Sequence, residues 1–423
     1  MILSFSNRPS RRGVAAGLFA AWILGGGVVA AQSETSADPN PDPMARMEAM
    51  PAMPHWMTMI HGYAFLNANR QAGPSGGREF ESQNHFMIVA MRAWAGGRLS
   101  LLGTFTLEPA TIPVEGSREL FQRGETYHDV LLVDRQHPHD LFVQLGAAWE
   151  KESAAGKIRL SLAPIGEPAL GPVAYPHRLS ASENPTAPLS HHNQDSTHIS
   201  ADVASVSWSR SIFTLEASAF HGREPDENRW NIEQGRIDSY SGRFWVRPTP
   251  ELSIQVSSGH LERPEKIEAG NQTRSTASIG YQKALPGGFI AATVIAGRNG
   301  TPDGPEWGNS LEWTWKFGDV NFLYGRAESV DRDLYELTNK RQRPEGVPAQ
   351  RTSIQAATLG FARDFPWLAE AETGLGADAT IYRFTSRLDP IYGSHPVSVH
   401  AFLRIRFGSH AAEPGREHDH MKM

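Results

Sequence analysis

Val397-Ser-Val-His-Ala-Phe-Leu-Arg-Ile-Arg-Phe407 decides the fold. Val397, Val399, Ala401, Leu403, Ile405 and Phe407 occupy every second position, with Ser398, His400, Arg404 and Arg406 between them. Successive side chains of a β-strand point to opposite faces, so this segment reads as a strand with one apolar and one polar face. The same period recurs upstream. Leu311, Trp313, Trp315 and Phe317 alternate with Glu312, Thr314 and Lys316, and Leu252, Ile254 and Val256 with Ser253, Gln255 and Ser257. Ala371, Leu375, Ala377 and Ile381 alternate with Glu372, Gly374, Gly376 and Asp378.

A soluble sandwich alternates in the same way, and connection lengths separate the two. Short links stand at Gly96-Gly97, Lys151 to Gly156, Ser209-Arg210, Pro248 to Pro250, Pro286 to Gly288, Gly318-Asp319 and Pro366-Trp367. Between them run longer polar links at 67–80, 109–139, 164–197, 222–237, 262–272, 298–307, 327–350 and 385–396. This predicts an all-β chain: a single transmembrane antiparallel β-barrel of about sixteen strands (fourteen to eighteen, depending on one boundary), with short periplasmic turns and long outer loops. Trp94, Trp149, Trp208, Trp315 and Trp367 lie within a few residues of a short turn, where an aromatic girdle meets the membrane–water interface.

Export is expected. Arg8, Arg11 and Arg12 precede an apolar, glycine-rich run to Val29, and Ala30-Ala31 offers a small-residue cleavage site. The run is short for a membrane anchor. The Arg11-Arg12 pair hints at twin-arginine export, but that route carries folded cargo and a barrel must arrive unfolded. The division is therefore residues 1–31 as signal peptide, 32–57 as a flexible Met-rich periplasmic segment, 58–407 as the barrel and 408–423 as a His/Met-containing tail. No other apolar stretch is long enough for a spanning helix. A net charge of −6 in 423 residues argues against a nucleic-acid partner, and the absence of cysteine removes thiolate catalysis and thiolate metal sites. Outer-membrane lipid is the expected surround.

Methionine is unevenly spread. Met44, Met47, Met50, Met53, Met57 and Met59 crowd together with His55 and His61, while His418, His420, Met421 and Met423 close the chain. Only Met87 and Met91 lie between these groups, apart from the initiator. Thioether sulfur is a soft ligand that selects copper(I). One face of a short helix would explain the i, i+3 spacing, but Pro51 and Pro54 break such a helix. A Met- and His-rich mature N-terminus ahead of a barrel resembles the copper-resistance outer-membrane protein B family, on the residues Met44 to His61; the aspartate-histidine-methionine repeats of that family are missing. The resemblance implies copper handling or transport across the outer membrane, copper ions as cofactor or cargo, and periplasmic copper proteins as partners.

A second concentration, His128, His137, His139, His177, His191, His192 and His198, lies in or beside the second and third long links. Imidazole suits zinc, copper and nickel, though plain hydrogen-bonding roles explain such residues too. The 164–197 link is long enough to fold inward, where Asp195, His191 and His192 would narrow a pore. With the apolar face set toward lipid, Arg159, Arg243, Arg274, Arg404, Glu216, Glu312, Glu372 and Asp378 line the lumen, joined by Arg247, Lys316 and Arg406. The basic excess suggests the alternative function, a general or anion-leaning porin for small hydrophilic solutes. No enzyme is expected; His198-Ile-Ser200 matches only the bare H-x-S pattern of barrel phospholipases.

Overall fold

The computed structural model describes residues 54–266 and 270–408. Its strands are β1 (Met57–Gln71), β2 (Gly77–Trp94), β3 (Gly97–Phe105), β4 (Ser117–Tyr127), β5 (Val130–Gln136) and β6 (Phe142–Ser153). There follow β7 (Gly156–Gly166), β8 (Ser200–Arg210), β9 (Phe213–His221), β10 (Ser239–Thr249), β11 (Leu252–Leu261) and β12 (Gln272–Leu285). The last are β13 (Gly288–Thr301), β14 (Gly304–Phe317), β15 (Asn321–Asp333), β16 (Arg351–Leu368), β17 (Ala371–Arg383) and β18 (Val397–Phe407). All except β4 and β5 form one closed antiparallel barrel in chain order, and β4–β5 is a separate hairpin in the 106–141 loop. The expected sixteen-strand wall is therefore present. It closes where β1 meets β18, with Gly62 opposite Phe407, Leu66 opposite Leu403 and Gln71 opposite Ser398. Closure pairs every wall strand on both sides, leaving no edge to lipid.

Two of the long links shrink to tight turns. Residues 72–76 and 302–303 are tight turns, because β1, β2, β13 and β14 run on through the polar ends assigned to loops. Charged residues there, such as Glu79 and Glu306, still alternate with outward ones, so the strand period continues where composition suggests coil. The first strand also begins at Met57, one residue before the expected barrel start.

Outside, Leu162, Val256, Ile279, Val294, Leu359 and Leu375 are exposed, as a lipid-facing surface requires. Trp94, Trp315 and Trp367 stand exposed beside short turns, and Trp149 and Trp208 donate their indole N–H groups to the carbonyls of Trp94 and Ala155. Among the described residues no helix is long and apolar enough to cross a membrane.

The inside departs from a plain polar lumen. Gln255, Arg274, Glu312, Tyr324 and Arg404, on five different strands, are 0% exposed. An inner wall facing open water cannot bury such side chains; the 106–141 and 167–199 loops cover it. Phe65, Phe322, Tyr324 and Phe402 pack together inside the wall. The loops carry the short helices α1 (Glu108–Thr111), α2 (His191–Gln194), α3 (Leu334–Asn339) and α4 (Asp389–Tyr392). A second apolar cluster joins Leu120 and Phe121 of β4 to Leu189, Leu337 of α3, Leu388 and Tyr392. That cluster stitches four outer loops over the barrel mouth.

Glycine makes room for the inward loop at one place. Gly297 of β13 and Gly308 of β14 lie opposite one another. A Cβ on Gly297 would stand 2.2 Å from the Asn193 carbonyl oxygen, and one on Gly308 2.7 Å from the Asn193 Cβ. The short helix α2 (His191–Gln194) rests on this bare patch, where Gln194 donates to the Gly308 carbonyl at 3.1 Å. Gly297→Val should destabilise the seated loop by about 1–3 kcal/mol through overpacking. Limited proteolysis reads this as faster cleavage within residues 167–199; an unchanged rate would contradict the contact.

Candidate metal-binding surfaces of the lumen

The polar face of β1 turns inward, and with it His61, Met59 and Met57. Register sets their neighbours: Met57 is opposite Met91, Met59 opposite Val89, and His61 opposite Met87. Directly opposed residues on one face have Cβ atoms about 4.5–5.5 Å apart. Four thioethers and one imidazole thus share one patch of inner wall, with Val89 and Leu102 packed beside them. His61 Nε2 lies 3.0 Å from Met87 Sδ. Met87 and Met91 are buried, and Met57 and Met59 are half-buried. His55 is exposed ahead of β1. Met44, Met47, Met50, Met53, His418, His420, Met421 and Met423 lie outside the described residues.

A second assembly stands in the loops. His139 ends the 106–141 loop, while His191 begins α2 and His198 ends the short 3-10 turn Ser196–His198. All three are buried, and one ligand nitrogen from each falls within 4.8 Å of the other two. Each ring is held from behind. His139 Nδ1 meets Glu108 Oε2 at 2.8 Å, a carboxylate that also accepts the His139 backbone N–H at 2.9 Å. His191 Nδ1 meets Asp195 Oδ1 at 2.7 Å, and His198 Nδ1 the Asp195 carbonyl at 2.9 Å. Arg178 fixes Asp195 in turn, its guanidinium on the other carboxylate oxygen. The Nε2 atoms of His139 and His198 are buried without a hydrogen-bond partner among the described residues.

Electrostatics differ across this trio. Burial pushes His191 down to about 4 despite Asp195, and burial with the neighbouring His139 and His191 holds His198 well below its ordinary value. For His139 burial also acts downward, but the Glu108 carboxylate outweighs it and raises the group.

The remaining histidines extend the array. His192, Glu224 and Glu265 form a neighbouring group within 4.8 Å, joining three loops. His137 Nε2 meets Glu125 at 3.2 Å, and Arg229 bridges Glu125 and Asp140. A cavity of about 90 Å³ is lined by His61, His85, His177, His139 and His198. His128 is apart from all of these, exposed at the β4–β5 turn.

The inward charges meet partners. Glu312 accepts Arg178 at 2.8 Å and Arg326 at 3.0 Å. Arg404 lies between Glu183 and Asp364, and Arg406 reaches Glu183 at 3.2 Å and Glu372 at 3.7 Å. Arg243 pairs with Glu216 at 2.6 Å, and Arg159 stands 3.7 Å from Glu150. Arg274 donates to Asn299 and Ser196, and Asp378 receives His400 and the Tyr324 hydroxyl. Arg178, Glu183 and Ser196 belong to the 167–199 loop, so half of this ionic wall faces protein. Lys316 lies over the Phe322 ring, and Arg247 over that of Trp245. The His198–Ser200 pair shows a different use: the Ser200 hydroxyl donates to the Thr197 carbonyl at 2.9 Å, and His198 Nδ1 faces the Asp195 carbonyl.

Sequence reading left Met87 and Met91 outside its ligand set, and Glu108 unmentioned. Strand register was the signal for the methionines: pairing β1 with β2 across residues 72–76 brings 57 to 91 and 61 to 87. Nothing local marks Glu108, which meets His139 only through the turn of the 106–141 loop.

No protein-family model and no curated relative matches the chain. Solved structures do. An anion-selective porin from Comamonas acidovorans is similar at TM-score 0.51 and 10% identity, covering 84% of this chain and 100% of that one. The outer membrane channel DcaP of Acinetobacter baumannii gives TM-score 0.50 at 8% identity, covering 85% and 100%. Pseudomonas putida OprB gives TM-score 0.50 at 9% identity, covering 84% and 94%. At such identities the likeness concerns architecture. Together with the lipid-facing exterior and closed sixteen-strand wall, it makes the chain a bacterial outer-membrane β-barrel of the porin fold.

Proposed function

We propose that this outer-membrane barrel handles a soft metal ion, copper(I) foremost, at the inner wall of its lumen. The observation that supports it is the inward patch of Met57, Met59, Met87, Met91 and His61, with its two facing pairs Met57/Met91 and His61/Met87. Leucine would pack as well against Val89 and Leu102. Thioether adds softness, and softness selects copper(I) over the harder divalent ions. The Met44–Met53 segment and the tail at His418–Met423 would supply further donors of the same kind on the chain ends. The alternative, an anion-leaning porin, draws on the basic inner residues and on the anion selectivity of the Comamonas protein. It is the weaker reading, because the basic groups Arg178, Arg243, Arg326, Arg404 and Arg406 are each matched by a carboxylate.

Copper(I) titration of the purified, detergent-folded chain tests the proposal. Replacing Met57, Met59, Met87 and Met91 by Leu should remove one bound equivalent, or weaken it by at least about 100-fold, since loss of ligands exceeds the 10–100-fold typical of orienting groups. A separate variant with Leu at 44, 47, 50 and 53 reports the terminal segment by itself. Copper binding indifferent to the wall methionines would refute the reading.

A further inference from the structure

We propose that His139, His191 and His198 form a three-imidazole site for a divalent transition-metal ion of the zinc or copper(II) class, which fastens the 106–141 loop to the 167–199 loop inside the barrel. Three separate observations converge on it. Ligand nitrogens from all three rings lie within 4.8 Å of one another, in a buried setting. Around a tetrahedral ion at ~2.0–2.1 Å they would stand about 3.4 Å apart, a closure that small ring rotations supply. Second, the Nδ1 atom of each ring is occupied by Glu108, Asp195 or the Asp195 carbonyl. Carboxylate and carbonyl groups behind the far nitrogen orient metal-ligating histidines and raise their basicity. Third, among the described residues, Nε2 of His139 and of His198 are buried without a partner. A buried polar atom left unpaired is unfavourable by about 1–3 kcal/mol, and here two such atoms sit beside one space. That space is a cavity of about 10 Å³ bordered by the three histidines, the size of a single ion or water.

The donor chemistry separates this site from the wall methionines. Imidazole nitrogen suits zinc, copper(II) and nickel, whereas thioether selects copper(I). The inference therefore stands independently of the soft-metal reading, and the two fail separately.

The site also explains a sequence cost. Placing three imidazoles and two carboxylates in the interior invites desolvation penalties that apolar packing would avoid. An ion binding there ties together chain positions that share no strand ladder, since none of the three histidines lies in a strand.

Equilibrium titration of the full chain in detergent, stripped with a chelator, with Zn²⁺ or Co²⁺ is the test. We expect one equivalent whose affinity falls at least 100-fold in His139→Ala and in His198→Ala, and a cobalt visible spectrum of tetrahedral type that both variants abolish. Glu108→Gln, which keeps the fold's side-chain volume, should weaken binding 10–100-fold as an orienting group does. The leucine variants at Met57 and Met91 should leave Zn²⁺ affinity unchanged. Retention of heat-modifiable migration on gels shows that each variant is still a folded barrel. Zn²⁺ and Co²⁺ binding identical in wild type and in the two folded histidine variants would overturn the proposal, as would a cobalt spectrum insensitive to them.

Discussion

Replacing residues 170–197 by a short Gly/Ser linker should raise single-channel conductance roughly tenfold or more in planar bilayers, because that loop lies inside the wall against β2, β11, β13, β14 and β18. The wall tolerates the change. Gly166 of β7 and Ser200 of β8 are paired across the barrel rim, so a few residues close the hairpin. Water would then hydrate Glu312, Arg326, Arg404 and Arg406 in place of the loop, and no charge would remain buried without company. Removing Arg178, Glu183 and Asp195 takes one positive and two negative charges from the interior, and Arg404 and Arg406 lose Glu183 as they come to face the new pore. The current should therefore lean toward anions. Conductance equal to that of the intact chain would show that the loop does not obstruct passage.

The opposite manipulation keeps the loop and removes its anchor. Glu312→Leu should destabilise the folded protein by about 3–5 kcal/mol, the usual consequence of leaving one partner of a buried ion pair uncompensated. Glu312 is fully buried and holds two guanidiniums, Arg178 of the loop at 2.8 Å and Arg326 of β15 at 3.0 Å. Arg178 retains Asp195, whereas among the described residues Arg326 would keep one hydrogen bond, to the Thr186 carbonyl, with the Glu328 charge nearby. Most of the loss therefore falls on Arg326. Denaturant unfolding followed by tryptophan fluorescence measures the change, and the double variant Glu312→Leu/Arg326→Met should recover much of it, since a paired removal strands no charge. A single variant as stable as wild type would mean that water already solvates these groups.

The wall was legible in the sequence because one side of every strand must satisfy lipid. Lipid tolerates little, so Leu311/Trp313/Trp315 and Val397/Val399/Ala401 announce their face at period two. Boundaries were less legible: Glu79 and Glu306 look like loop but lie in strands, since polar residues at the inner or rim positions obey the same period. The lumen was legible only as polarity. Phe65, Phe322 and Phe402 occupy inward positions where a water-filled pore would want polar groups, and their reason is visible only once a loop packs over them. The candidate metal sites depended on contacts that composition does not carry. His139 and His198 lie far apart in the chain, and the meeting of Met57 with Met91 needs the register of β1 on β2.

Arg404 and Arg406 sit on the last strand, and they grip Glu183 and the Ser182 carbonyl in the middle of the chain. During assembly, Glu183 therefore has no guanidinium partner until β18 arrives and zips against β1, although Arg178 of the same segment is already held by Glu312 of β14. Completion of the wall and the last lock on that segment become one event. A chain truncated before Val397 would lose its seal as well as its seam.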